Sequence, residues 1–309
     1  MSVVEVPDAF RRSPRWEHDP AGRRWLDELP QLVAVTSLAW GLTVDGPVSH
    51  GSNALVVPVR SALGPAALRL TPGDAGSAAD LRALEFWSDG PVVGVIRSSP
   101  DGAIMLLDRL DASTPLSTRA PVEIAEVLGG LVGAMATTDP PGDVPSTTDV
   151  ALAMAAHGRE RWHAAGRPLS ENVVHHACSL AADLTGDDPG LAVNADVHAD
   201  QVLRGAGRSW VVVDPTLWRG DPAYDLVRAV WTLVDRLPDV PSIRSYAAAL
   251  VRASGFDADR AWAWMLVRTV DYWLWCVTAG LTEDPLRCAR VVDALAATEP
   301  PRRTIDKDG

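Results

Sequence analysis

Asp196, Gln201 and Asp214 are the residues of this chain whose types and spacing could do chemistry. Asp196 opens a polar turn that runs through His198 to Gln201, after which Val202 and Leu203 begin a short strand. Residues 205–209 are rich in glycine and small side chains, which makes a hairpin connection, and they feed Trp210, Val211, Val212 and Val213 into Asp214 and Pro215. Folding such a hairpin would bring the loop before it and the residue after it to one end. One carboxylate there could orient or deprotonate a hydroxyl while the other held a divalent cation.

The elements around this stretch change character along the chain. Residues 1–24 are rich in Pro, Arg and Asp and read as a loosely packed lead, followed by a short helix that Pro30 interrupts. Residues 33–41 fit either a strand or a helix, and strands follow over 42–45, 54–60 and 66–70, with a turn at 46–53. The later part of 74–87 has helical spacing through Ala79, Leu81, Leu84 and Trp87. Strands over 92–97 and 104–107 flank the turn Pro100-Asp101-Gly102. Beyond residue 112 the pattern turns helical, over 122–136, 147–165, 170–185, 224–236, 243–254, 257–279 and 285–297, with a loop at 137–146 and a polar, frayed tail at 300–309. Trp262, Trp264, Trp273 and Trp275 could line an acceptor site, but their spacing is that of core packing.

Composition narrows the function classes. With 309 residues, 47% apolar and 22% charged, the chain can build an ample core. The longest apolar runs, at 151–156 and 246–251, fall far short of a membrane span, and the N-terminus carries acids and prolines where a signal peptide would be apolar, so no membrane is expected and the expected location is cytoplasmic. Cys178, Cys276 and Cys288 are odd in number and lack ligand spacing, and His157, His175 and His176 lack partner ligands, which argues against a disulfide framework or zinc site. The 28 basic and 40 acidic residues leave a net charge of −12, which opposes nucleic acid and suits a cationic small molecule.

The composite of Asn194-Ala195-Asp196-Val197-His198-Ala199-Asp200-Gln201, Asp214-Pro215 and Gly220-Asp221-Pro222-Ala223-Tyr224-Asp225 resembles the aminoglycoside phosphotransferase superfamily, closest to the streptomycin 6-kinase and hydroxyurea phosphotransferase group. Relatives read His-Gly-Asp-x-His-x-x-Asn and Asp-Pro-x-x-x-x-Gly-Asp-Pro-x-x-Asp; the second motif is matched without change. The resemblance implies an α+β, bilobal protein-kinase-like fold. Its small antiparallel-sheet lobe would bind nucleotide over 1–112, and its mostly helical lobe, 113–309, would carry the catalytic and acceptor sites.

That resemblance also implies roles. ATP and Mg2+ would be the cofactors, and the acceptor a small, cationic alcohol of the antibiotic kind. Asp196 would be the catalytic residue, with Gln201 and Asp214 holding the metal. Gly51, Ser52 and Asn53 would cover the phosphates, Arg69 would stand where relatives carry a strand lysine, and the segment from Asp108 to Leu110 would meet the adenine edge. Asp80 is nearest the acid that pairs with that strand residue, with Glu85 in reserve, and Asp200 is close enough to supplement Gln201. Asp221 and Asp225 would cap the following helix and brace the catalytic loop. Three positions depart from the pattern: Arg69 for Lys, Asn194 for His and Gln201 for Asn. They leave open a catalytically impaired pseudokinase or binding protein of the same fold as the alternative to an active kinase.

Overall fold

Leu55, Val57 and Val59 are fully buried while Arg60 is exposed, so the period-two alternation of this stretch sets one face of a strand into a core. The computed structural model describes residues 4–136, 140–205, 207 and 209–296. The first elements are α1 (Asp8–Arg11), α2 (Pro20–Trp40), β1 (Thr43–Val44), β2 (Ser49–His50), β3 (Leu55–Ser61), β4 (Gly64–Leu70) and α3 (Ala75–Phe86). Next come β5 (Val95–Ser98), β6 (Ile104–Asp108), α4 (Pro121–Met135), α5 (Thr147–Ala164), α6 (Glu171–Leu184) and β7 (Leu191–Val193). The chain continues through β8 (Val202–Arg204), β9 (Trp210–Val212), β10 (Trp218–Gly220), α7 (Leu226–Leu233), α8 (Val240–Ser254), α9 (Ala258–Thr278) and α10 (Asp284–Ala296).

Two compact units result, Met1–Thr114 with Leu203–Pro215, and Pro115–Val202 with Thr216–Gly309. A single border near residue 112 therefore does not describe the chain: most of the catalytic hairpin groups with the first unit. The reason is backbone pairing. Val93 N–H donates to Val212 O at 2.9 Å, Val212 N–H to Pro91 O at 2.9 Å, and Asp111 N–H to Arg204 O at 2.8 Å.

In the first unit the antiparallel strands run β1-β3-β4-β6-β5, with β2 pairing β3. The expected turn at 46–53 thus contains a strand, and the tight reversal is confined to Gly51, Ser52 and Asn53, closed by Gly51 N–H donating to Ala54 O at 2.9 Å. The lead is not loose either. Val4, Val6, Phe10 and Trp16 join the core, and Phe10 meets Trp16 edge-on at 5.5 Å, because aromatic area is too costly to leave in water. Nor does Pro30 break α2. Its ring removes the donor for Leu26 O, and Arg11 Nη2 supplies a replacement at 3.4 Å.

Gly102 closes the β5–β6 reversal with φ of +69°, and a Cβ there would lie 2.3 Å from Ser77 O. Gly102→Ala is expected to cost about 2–4 kcal/mol, summing the left-handed backbone penalty and the clash. Urea unfolding read by tryptophan fluorescence measures it.

The second unit is helical, with α4 packed on α8 and α5 on α6. Gly129 and Gly133 let α4 approach α8 closely: added Cβ atoms would sit 2.5 Å from Leu250 O and 2.7 Å from Ser254 O. Its only sheet among the described residues is β7 with β10, in register Trp218↔Val193. The expected frayed tail, 300–309, and residues 137–139 of the expected loop lie outside the described residues.

Candidate functional site

Each unit carries one cluster of the chemistry-bearing residues. In the first, Arg69 lies on β4 opposite Val56 and Met105, which turns a guanidinium into a buried position at 5% exposure. A buried charge needs partners. Arg69 Nη2 donates to Asp80 Oδ2 at 2.7 Å and to Asp214 Oδ1 at 3.0 Å, while Nη1 is buried without a hydrogen-bond partner. Asp80, on α3, is therefore the acid facing Arg69; Glu85 points to solvent. The Asp214 side chain stays 42% exposed.

A cavity of about 300 Å³ opens beside this triad. Gly51, Ser52 and Asn53 line it, as do Asp108, Leu110, Arg69 and Asp214, so six of the seven expected nucleotide-site residues meet in one space, joined by one expected metal ligand. Asp80 does not line it and acts through Arg69. Arg109 Nε donates to Ala66 O at 3.2 Å and so fixes the segment after β6.

In the second unit the loop from Asn194 to Gln201 is built around Asp196. Asp196 Oδ1 accepts from Arg228 Nε at 2.7 Å and Oδ2 from Gln201 Nε2 at 3.1 Å; its side chain is 37% exposed. Gln201 Oε1 is buried and receives no hydrogen bond. Asp200, expected as a supplement to Gln201, is exposed and faces His198 Nδ1 at 3.7 Å. Desolvation, with Arg228 close by, pushes His198 below the usual histidine range.

Asn194 is fully buried, and its Oδ1 accepts from Asp196 N–H and from Thr216 N–H, each at 3.3 Å. It thereby does the loop-supporting work for which relatives use His. Ala195 adopts φ of +65°, a left-handed conformation that costs a residue with a Cβ about 1–2 kcal/mol. Its backbone is gripped on both sides. Asp225 Oδ1 accepts from Ala195 N–H at 2.6 Å, Asp225 Oδ2 from Asn194 N–H at 3.0 Å, and Arg268 Nη2 donates to Ala195 O. Asp221 caps the turn leading into α7 through Ala223 N–H at 2.9 Å, and accepts from Trp264 Nε1 at 2.6 Å and from Arg260 Nε.

Burial pushes the Asp225 carboxyl up to about 6, against the pull of Arg268 and of the two N–H donors. The folded unit therefore keeps this proton up to about pH 6, whereas the unfolded chain gives it up near the ordinary carboxylate value of 3.8. Stability from this group is fully present below the lower value and is lost as pH rises through the upper one. Relative to Asp225→Asn, the natural protein is expected to lose about 2–3 kcal/mol between pH 4 and pH 7. Parallel denaturant titrations of the two proteins check this, since their difference cancels the other titrating groups.

Among the described residues no group of three or more His, Cys, Asp and Glu side chains could hold a metal ion. The available donors are hard oxygens, the half-exposed Asp214 carboxylate and the buried, unsatisfied Gln201 Oε1. Within the first unit, the Asp214 carboxylate is the kind of oxygen that Mg2+ takes from few protein ligands.

Arg228, Arg268 and the strained Ala195 escaped the sequence reading. The arginines act at separations of 32 residues (Arg228 to Asp196) and 73 residues (Arg268 to Ala195), which leave no local pattern. Ala195 could have been found, since it stands where relatives carry glycine. The tryptophans divide: Trp264 and Trp273 are buried, while Trp275 is 51% exposed and stacks on Tyr272 at 5.7 Å. None of the described helices is long and apolar enough to cross a membrane.

Known proteins agree with this architecture. Streptomycin 6-kinase of Streptomyces griseus is 30% identical over 299 residues, covering 95% of this chain and 97% of that protein. Hydroxyurea phosphotransferase of Kitasatospora aureofaciens is 31% identical over 306 residues, covering 95% of this chain and 86% of that protein. Among solved structures, choline kinase LicA from Streptococcus pneumoniae superposes with a TM-score of 0.59 at 11% identity over 88% of this chain and 100% of that one. A thermostable mutant of aminoglycoside phosphotransferase APH(4)-Ia, in ternary complex with ADP and hygromycin B, gives 0.56 at 18% identity over 87% of this chain and 100% of that one. These structures show the expected α+β kinase-like fold. Residues 39–280 match the family model described as aminoglycoside/hydroxyurea antibiotic resistance kinase, and the chain belongs to that family.

Proposed function

We propose that the chain transfers the γ-phosphoryl group of ATP to a hydroxyl of a small, cationic acceptor of the aminoglycoside kind, in the cytoplasm. The observation that carries this is Asp196. It is a part-exposed carboxylate fixed through both oxygens by Arg228 and Gln201, on a loop whose strained backbone is held by Asp225 and Arg268. Such a group can accept or orient an acceptor proton with little reorganisation.

The cavity of the first unit supplies the nucleotide side. The Ser52 and Asn53 turn would meet phosphates, Arg69 would donate to them, and the edge of Asp108 to Leu110 would meet the base. Asp214 would hold Mg2+, which when bound neutralises charge on the phosphates. A net charge of −12 favours the approach of a cationic acceptor. Relatives named for streptomycin and for hydroxyurea support an antibiotic acceptor.

A second reading, binding without turnover, draws on one observation: Arg69 already occupies Asp214. ADP release from ATP and Mg2+ with a panel that includes streptomycin and hydroxyurea separates the two. Acceptor-dependent ADP supports the kinase; ligand-induced thermal stabilisation with no ADP supports the binding protein. If ATP gives no thermal shift at all, the nucleotide reading itself is lost.

A further inference from the structure

We propose that the exposed ring of Trp275 is the far end of the acceptor site, where it holds a cationic group of an elongated acceptor whose reacting hydroxyl sits at Asp196. The inference rests on the kinase reading above and narrows its substrate class. Two helices of the second unit lead from the catalytic loop to this ring. On α7, Arg228 donates Nε to Asp196 Oδ1 at 2.7 Å, and Trp231 lies one turn further on. On α9, Arg268 donates to Ala195 O, with Tyr272 at i+4 and Trp275 at i+7, so the three share one face. The helices meet in a stack of rings, Trp231 on Tyr272 at 4.6 Å and 18°, and Tyr272 on Trp275 at 5.7 Å and 17°. Burial pushes the Tyr272 hydroxyl up while Arg228 pulls it down, so the guanidinium that holds Asp196 also acts on the middle ring.

Exposure rises along the stack. Trp231 is 5% exposed, Tyr272 is half-buried and Trp275 is 51% exposed. Core packing accounts for the first two rings and leaves the third, which is braced against Tyr272 on one side and half open to solvent. Among aromatic side chains an indole attracts a cation most strongly, and the net charge of −12 favours a cationic partner. Asp271 on α9, and Asp284, whose charge reaches Tyr272, are already paired with Arg161 and Arg287, which leaves the indole as the group to meet that cation. Length follows from helix geometry. Trp275 stands about two turns, or about 10 Å along the axis, beyond the residue that grips the catalytic loop. An acceptor no larger than hydroxyurea touches Asp196 without reaching the ring; an elongated one reaches both.

The test is calorimetric titration of the full-length protein and of Trp275→Ala with streptomycin, an elongated cation bearing guanidinium groups. The expected result is a streptomycin Kd weakened by about 3–30-fold in the variant, with the ADP Kd unchanged within about threefold. No streptomycin binding by the natural protein, or a weakening below about threefold, overturns the proposal. Hydroxyurea is expected to bind both proteins within about threefold of each other, or neither; a loss confined to the variant overturns the proposal. Should Trp275→Ala fail to fold, fluorescence of Trp275→Phe decides: the emission change that saturating streptomycin produces in the natural protein is expected to fall by about half or more, and a smaller fall overturns the proposal. Binding is read without phosphoryl transfer. A protein that binds streptomycin through Trp275 and labels no acceptor therefore keeps the cation contact and loses the kinase reading.

Discussion

Replacing Asp196 by alanine is expected to lower turnover by about 10²–10⁴-fold, the range by which a positioned proton acceptor accelerates transfer. Nucleotide affinity should stay within about threefold, because the cavity with Arg69 and Asp214 belongs to the other unit and contains no part of Asp196. The split between kcat and nucleotide Kd is the diagnostic feature. Loss of Asp196 also removes the acceptor of Arg228 Nε and of Gln201 Nε2. Both bonds are part-buried, so the expected stability change is about 1–2 kcal/mol. Asp196→Asn keeps the volume but not the basicity and should be as slow as the alanine variant. If either variant keeps kcat within tenfold of the natural enzyme, Asp196 is not the proton acceptor.

Arg268→Ala is expected to destabilise the second unit by about 3–5 kcal/mol, the cost of stripping a buried charge of its partner. Arg268 is 8% exposed, donates Nη1 to Tyr224 O at 2.8 Å and Nη2 to Ala195 O, and lies 3.8 Å over the Tyr224 ring. It is also the charge that opposes the desolvation of Asp225. Without it the Asp225 proton is held to higher pH, so the window over which stability falls with rising pH moves upward from about 6. Because Ala195 would lose the grip on its carbonyl, turnover should fall even at temperatures where the variant remains folded. Chemical denaturation at pH 5 and pH 8 checks both parts: the cost should be smaller at the lower pH, where Asp225 can take up a proton.

Much of the fold was legible because it rests on local period and turn chemistry. The alternation in β3, the Pro100-Asp101-Gly102 reversal and the amphipathic stretch of α4 each express themselves within a dozen residues. The unbroken motif from Asp214 to Asp225 pointed to the bracing carboxylate that the structure places on Asn194 and Ala195. What stayed hidden depends on partners far away in sequence. The run of α2 through Pro30 relies on Arg11, and the packing of residues 4–16 relies on aromatic contacts among Phe10, Trp16 and Trp25. β10 has three residues and no alternation to read; it exists because β7 offers it an edge. At the site, the residue types and the pairing of Asp80 with Arg69 were readable, but the engagement of Arg69 with Asp214 was not. That Arg69 would bind two carboxylates and keep a spare donor follows only from folding β4 against α3 and the strand end at Asp214.

Asp196 is expected to serve a phosphoryl transfer to a small-molecule hydroxyl. Incubating the natural protein and Asp196→Ala side by side with γ-phosphate-labelled ATP, Mg2+ and the acceptor panel, and following label into the acceptor, tests it most directly. Label should appear on at least one acceptor with the natural protein, at a rate about 10²–10⁴-fold above that of the variant. Nucleotide binding by both proteins with no label on any acceptor, or equal labelling by the two, would contradict the account.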